Sequence, residues 1–429
     1  MNLLKDILNT LFARTSELFR NSKKDNKSIE TLCYELLSSK GQLSAMTLSQ
    51  NILSRYNSLS DIEKKSFFLM LIKKMGFNLS LIEKTINEFK TLPNTEKYNE
   101  ITKAIISDRQ KLFNRLNQTS FATSQLVKMR EDIIRLSKNN KEILQLSLDL
   151  QNLFVTWFNR GFLVLREITW NSPANILEKI IQYEAVHSFN NWEDLQRRLI
   201  PSDRECFAFF HPAMPDEPLI FVQVALTTDI PNSIQEILRD GRKIIDIEKA
   251  STATFYSISN CQKGLQGISF GNSLIKTVVQ EITKNNPQIK NFVTLSPLPN
   301  FTKWLKKIKI KKEHFNLKKN NNGFEYLKRY PKKSLEFASY YLTNLVDNDL
   351  EYFDPVAKFH LTNGAIVYDI HEKADVSQKG NKQSLSIMVN YLYEIKNLTQ
   401  NHENFVLKNK IISSEKITKG SKRIRELIF

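Results

Sequence analysis

Apolar positions in the first 160 residues recur at helical spacing, and only Gly41, Gly76 and Pro93 interrupt them. The spacing predicts helices at about 3–20, 28–38, 44–57, 98–118, 122–138 and 141–159. Two Ser-x-x-Glu pairs, Ser60 with Glu63 and Ser80 with Glu83, fit the capping box, in which side chains satisfy the free N–H groups of a helix start. Gly76, between them, suits the left-handed position after a helix end. Beyond residue 160 lie the other 9 of 11 Gly and 11 of 12 Pro. Strand-like runs follow at Cys206–Phe210, Leu219–Ala225, Thr254–Ser259, Phe292–Leu295 and Ala365–Ile370, each bounded by Pro, Gly, Asn or Asp. Helical pieces at 233–240 and 272–284 alternate with them. The pattern therefore divides the chain into an all-helical domain, 1–160, and an α/β or α+β domain, 161–429.

Composition narrows the class. Of 429 residues 41% are hydrophobic, too many for a disordered chain. No run approaches the ~18 apolar residues of a membrane helix, so an integral membrane protein is not expected. Cys33, Cys206 and Cys261 are odd in number and form no CxxC pair, which argues against a disulfide scaffold and fits a reducing compartment. The N-terminus lacks the apolar core of a secretory signal; it is amphipathic, but Asp6 and Glu17 count against a mitochondrial presequence. None of the six histidines has zinc-site spacing, so no metal site is expected. The 62 Lys+Arg against 45 Asp+Glu, a net +17, point to a polyanionic partner: nucleic acid, anionic membrane or a phosphate-bearing small molecule. The Lys- and Asn-rich stretch 303–333 reads as a solvated basic face or an insertion.

The densest chemical signal runs from 254 to 299. A strand leads into Gly264, Gly267 and Gly271, then into a helix whose apolar face is Leu274, Ile275, Val278, Val279 and Ile282. Backbone N–H groups converge at such a turn and the helix dipole favours an anion. The P-loop and GxGxxG patterns are both absent, which leaves a pyrophosphate cradle and a plain tight turn as the alternatives. The next strand ends at Ser296-Pro297, on the edge where parallel α/β sheets place ligands. By spacing alone Ser296 is a turn former, and His211 and His360 are structural histidines.

The strings CFAFFHPAMPDEPLIFVQVALT (206–227), FYSISNCQKGLQGISFGNSLIK (255–276), FVTLSPLPNFTKW (292–304) and FHLTNGAIVYDIHEKADVS (359–377) resemble the malonyl-CoA decarboxylase family. WNSPANILEKI and EAVHSFNNWEDLQRRL (170–199) and MVNYLYEI (388–395) are similar as well, in the family's order across about 160–411. The resemblance implies a helical oligomerisation domain followed by a catalytic domain of the GNAT (acetyltransferase-like) fold. It implies an acyl-CoA-binding segment at Gln266, Gly267, Ile268, Ser269, Phe270, Gly271 and Asn272, a catalytic serine at Ser296 and a catalytic histidine at His360. Tyr393 is the tyrosine of the family's NYxY motif. The family usually has Gly where this chain has Asn300, a departure that bears on loop shape.

The implied reaction takes malonyl-CoA to acetyl-CoA and CO2. The thioester is itself the electron sink for the enolate, so no cofactor is expected beyond the CoA of the substrate. Ser296 is expected to hydrogen-bond the malonyl carboxylate or thioester oxygen. His360, with a pKa near neutrality, is expected to protonate C2. The expected setting is a cytoplasmic homo-oligomer (the mitochondrial matrix for a eukaryotic chain), with no nucleic acid and no membrane as partner. Two rivals have other chemistries: an N-acetyltransferase of the same fold, and a basic nucleic-acid-binding protein, which would bind with steep salt dependence.

Overall fold

The computed structural model describes residues 27–268, 271–311, 322–344 and 354–428, with 271–273 described by backbone only. The helix expected at 3–20 lies outside the described residues, as does most of the Lys- and Asn-rich segment between 311 and 322. The chain forms two compact units. One holds the chain to Leu163 together with His211–Glu217 and Gln262–Ile268; the other holds Val164–Phe210, Pro218–Cys261 and Ser269 onward. Two short segments of the second half thus group with the helices, which a single boundary near 160 does not describe.

The first unit is built from α1 (Ile29–Ser38), α2 (Gln42–Ser58), α3 (Asp61–Lys74), α4 (Leu79–Thr91), α5 (Thr95–Ala104), α6 (Asp108–Leu116), α7 (Ala122–Ser137) and α8 (Leu144–Trp157). Ser60 and Glu63 form both halves of the capping box that starts α3. The second expected box does not form. Asn78 caps α4 through its side-chain oxygen, which accepts from Leu81 N, and Ser80 falls inside the first turn. Nor is Gly76 left-handed; the positive-φ glycines among the described residues are Gly241, Gly267 and Gly364. The expected helix 98–118 is two helices, because Ser107 caps a new start at α6 with Gln110 N as its donor. Leu36, Phe68, Leu71, Phe113, Leu126, Ile133, Leu150 and Phe154 are wholly buried and form the core of this unit.

The second unit is a twisted sheet with helices around it. Its elements in order are β1 (Val164–Glu167), α9 (Ala174–Tyr183), α10 (Trp192–Leu199), β2 (Arg204–Phe210), β3 (Ile220–Thr227), α11 (Ile234–Leu238), β4 (Thr252–Asn260), α12 (Gly271–Asn285), β5 (Asn291–Thr294) and β6 (Ser296–Pro297). There follow α13 (Phe301–Lys307), α14 (Gly323–Arg329), α15 (Ser334–Asn344), α16 (Pro355–Thr362), β7 (Ile366–His371), α17 (Gln378–Ser384), β8 (Met388–Leu392), α18 (Leu398–Lys408) and α19 (Glu415–Arg425). Strand order is β1-β2-β3-β4-β5-β8-β6, with β7 paired to β8.

Among the described strands only β4 and β5 run parallel, and they pair from Thr252↔Asn291 to Phe255↔Thr294. Strand β4 then continues to Asn260 without β5 beside it. Two parallel central strands that part in this way, inside an otherwise antiparallel sheet, are the GNAT arrangement that the resemblance implied. The predicted apolar face of α12 is buried as a set: Leu274, Ile275, Val278, Val279 and Ile282. Strands β1 and β8 carry no strand signal in the sequence. In β8 the reason is Asn390, a wholly buried polar residue whose Nδ2 donates to Thr294 O at 2.9 Å. A buried amide satisfied across the sheet reads, in one dimension, as a loop residue.

Candidate active site

Strand β5 ends at Thr294, and Ser296 begins β6, where it pairs with Val389 of β8. Residues two apart on an extended chain share a face, so Thr294 and Ser296 are side by side; the Ser296 hydroxyl donates to Thr294 Oγ1 at 2.9 Å. Helix α16 brings His360 to the same point, with Nε2 3.0 Å from Ser296 Oγ. Tyr393 follows β8 and is held by its N–H to Phe292 O at 2.8 Å; its hydroxyl lies 2.7 Å from His360 Nδ1. All three side chains are buried, Ser296 at 6% exposure and His360 and Tyr393 at 2%.

One placement of protons satisfies every contact. Tyr393 O–H donates to His360 Nδ1, His360 Nε2–H donates to Ser296 Oγ, and Ser296 O–H donates to Thr294 Oγ1. Thr294 Oγ1 also accepts from Tyr391 N at 3.2 Å, which fixes the end of the relay to β8. The imidazole is clamped on its face by Tyr391, ring centroids 4.6 Å apart at 27°, and at its edge by Phe359 at 5.1 Å. Burial drives the His360 pKa down to about 3, so the ring is neutral. That corrects the expectation of a pKa near neutrality: among the described residues no carboxylate contacts the ring to offset its loss of water. Burial also holds the Tyr393 phenol well above its ordinary pKa, so it stays a donor.

The expected acyl-CoA segment is divided. Gln266, Gly267 and Ile268 belong to the helical unit; Ser269 and Phe270 lie outside the described residues; Gly271 and Asn272 open α12 as backbone. Within the helical unit the loop is pinned by Arg130 of α7, itself 3% exposed. Its Nη1 donates to Gly264 O at 2.7 Å and Gln266 O at 2.8 Å, its Nη2 to Gln151 Oε1 at 2.7 Å, and its Nε to Ser147 O at 3.1 Å. A Cβ on Gly264 would stand 1.9 Å from Val127 O, and Gly267 has φ +84°, so both positions require glycine. The other histidines do local work. His211 accepts from Ala213 N at 3.1 Å, and His402 Nδ1 lies 2.6 Å from Thr362 O. Sequence reasoning missed Thr294, although a hydroxyl two positions before Ser296 on a strand was readable. It missed Arg130, for which no local signal exists.

The fold and the buried Ser296–His360–Tyr393 cluster define an α/β protein with a GNAT-like sheet and the side chains of an enzyme site. Comparison with known proteins narrows it. The family model described as "Malonyl-CoA decarboxylase C-terminal domain" matches residues 161–426, and that described as "Malonyl-CoA decarboxylase N-terminal domain" matches 76–158. A curated relative from Anser anser anser, "Malonyl-CoA decarboxylase, mitochondrial", is 36% identical over 342 residues, 71% of this chain and 68% of its own. The protein of the same name from Mus musculus is 33% identical over 73% of this chain and 71% of its own. The crystal structure of malonyl-CoA decarboxylase from Agrobacterium vitis superposes with TM-score 0.85 at 40% identity, covering 92% of this chain and 99% of that one. The one from Rhodopseudomonas palustris gives 0.81 at 39%, covering 91% and 98%. The chain belongs to the malonyl-CoA decarboxylase family and is by that membership a carboxy-lyase.

Proposed function

We propose that the chain converts malonyl-CoA to acetyl-CoA and CO2 at the Ser296–His360–Tyr393 relay. The observation that carries this reading is the 3.0 Å contact between Ser296 Oγ and His360 Nε2, both side chains buried. Ser296 O–H turns from Thr294 toward the malonyl carboxylate or thioester oxygen. The arriving carboxylate raises the His360 pKa, so the ring takes up one proton as substrate binds. The C2–carboxyl bond then breaks, CO2 leaves, and its electron pair passes into the thioester as an enolate. The imidazolium delivers its proton to C2, which gives acetyl-CoA and returns neutral His360. One proton is consumed per turnover. Tyr393 keeps Nδ1 hydrogen-bonded and holds the ring in plane. The backbone N–H groups that open α12 at Gly271 and Asn272 suit a phosphate of the CoA. The reading calls for no cofactor, because the thioester holds the electrons.

The test is acetyl-CoA formation from malonyl-CoA by the wild type, Ser296→Ala and His360→Ala. Loss of the proton donor should lower kcat by about 10²–10⁴-fold; near-wild-type turnover in both variants overturns the assignment. Amine-dependent release of free CoA, with no CO2, would mark acetyl transfer instead.

The helical unit is read as the assembly domain. Ile62, Leu79 and Leu43 are 81%, 73% and 70% exposed there, apolar surface that a second copy can cover. Cys33, Cys206 and Cys261 are buried thiols, which supports a reducing compartment such as the cytoplasm. No helix among the described residues is long and apolar enough to cross a membrane.

A further inference from the structure

Ser296 and His360 stand on separate elements, and one buried carboxylate ties those elements together. Asp354 is 1% exposed and sits at the N-cap of α16, the helix that carries His360. Its Oδ1 accepts from Val356 N at 2.9 Å and Ala357 N at 3.2 Å, closing the start of that helix. Its Oδ2 accepts from Asn300 N at 3.2 Å and from the Tyr341 hydroxyl at 3.3 Å. Asn300 ends the segment Ser296-Pro297-Leu298-Pro299-Asn300, in which two prolines leave the backbone little freedom to absorb a shift. The two oxygens of one carboxylate therefore hold the serine segment and the histidine helix in a common frame.

We propose that Asp354 is a positioning residue for decarboxylation: its two-sided acceptance from the Asn300 and α16 backbones sets the Ser296–His360 distance. The inference rests on the reading of Ser296 and His360 as the reacting pair. Asp354 itself touches no reacting atom.

Among the described residues, the titratable groups facing this carboxylate are phenols: Tyr341 of α15, which donates to it, and Tyr391 of β8, whose own pKa its charge helps to raise. Burial pushes the Asp354 carboxyl up to about 6, against the opposing pull of Asn300, Ala357 and Val356 N–H groups and the Tyr341 hydroxyl. Above that pH both oxygens accept. Below it one oxygen carries a proton that points at an N–H donor, and one side of the tie is lost. Activity therefore has an acid limb near pH 6 that His360, neutral in the free enzyme down to about pH 3, does not supply.

Asp354→Asn separates the two halves of the tie. The amide oxygen still caps α16, as Asn does well, while its NH2 cannot accept from Asn300 N–H or the Tyr341 hydroxyl. The expected result is a fall in kcat of about 10- to 100-fold, KM within about threefold, and loss of the acid limb near pH 6. Tyr341→Phe keeps the Asn300 bond but removes a donor that lowers the carboxyl pKa. It should retain most of the activity and move the acid limb to higher pH. Wild-type kcat in Asp354→Asn, or an unchanged acid limb in either variant, overturns the proposal. Should Asp354→Asn fail to fold, the limb in Tyr341→Phe decides. The failures are separable: if Ser296→Ala is inactive while Asp354→Asn matches the wild type, only the positioning role falls; if Ser296→Ala and His360→Ala both match it, the relay itself falls.

Discussion

His360 illustrates how burial assigns a role that residue type leaves open. Exposed, its imidazole would titrate near 6.5; enclosed by Tyr391, Phe359 and Tyr393, it is neutral. Tyr393→Phe removes the Nδ1 partner, whose loss is worth about 1 kcal/mol; kcat measured at saturating malonyl-CoA should drop about fivefold while the ring stays in its slot. A different buried carboxyl carries a stability prediction. Glu205 of β2 has its pKa pushed up to about 7, first by burial, then by Glu167 and Glu281, with an opposing bond from Asn286. Its folded pKa exceeds its unfolded one, so its stabilising contribution is complete below about 4.5 and lost as pH rises through about 7. Glu205→Gln should raise Tm by a few degrees at pH 8 and leave it unchanged at pH 4.5, as followed by thermal melts at the two pH values.

Elements, rather than single side chains, hold the glycine loop at 262–268. Segment 262–268 groups with the helices and not with the strand that leads into it, and Arg130 holds it through two carbonyls. Truncating that arginine would leave Gly264 O, Gln266 O and Ser147 O without their donor. Arg130→Ala is expected to raise KM for malonyl-CoA about tenfold or more, with kcat less affected, in steady-state assays. Gly264→Ala should act in the same direction, since its Cβ meets the Val127 carbonyl at 1.9 Å. Helix α12 was legible because its apolar residues keep the 3.6 period and are all buried. Strand β8 was not, because the buried polar Asn390 stands at its centre. The start of α4 was misplaced by two residues, because Asn78 and Ser80 are both good caps and only packing chooses between them.

Across the whole molecule, the +17 charge does not single out a polyanion, since one CoA requires only a few of those charges. The helical unit makes a firmer prediction. Its exposed Leu43, Ile62 and Leu79 should lie in a self-interface, so light scattering after size exclusion should show an oligomer. Ile62→Glu together with Leu79→Glu should shift it toward the monomer while far-UV CD is retained; an unchanged mass would place the interface elsewhere.

What the chain's own pattern determined was the division into helices and sheet, the strand–glycine–helix unit, and the strings that identify Ser296, His360 and Tyr393. Those features are local: helical periodicity, turn chemistry and short motifs survive in one dimension. Tertiary structure alone decided that these three side chains form one relay with Thr294, that His360 is neutral, that Arg130 pins the loop 262–268, and that Asp354 joins Asn300 to the start of α16. Each of those depends on contacts across tens to more than a hundred residues, and on removal from water, which no local spacing encodes.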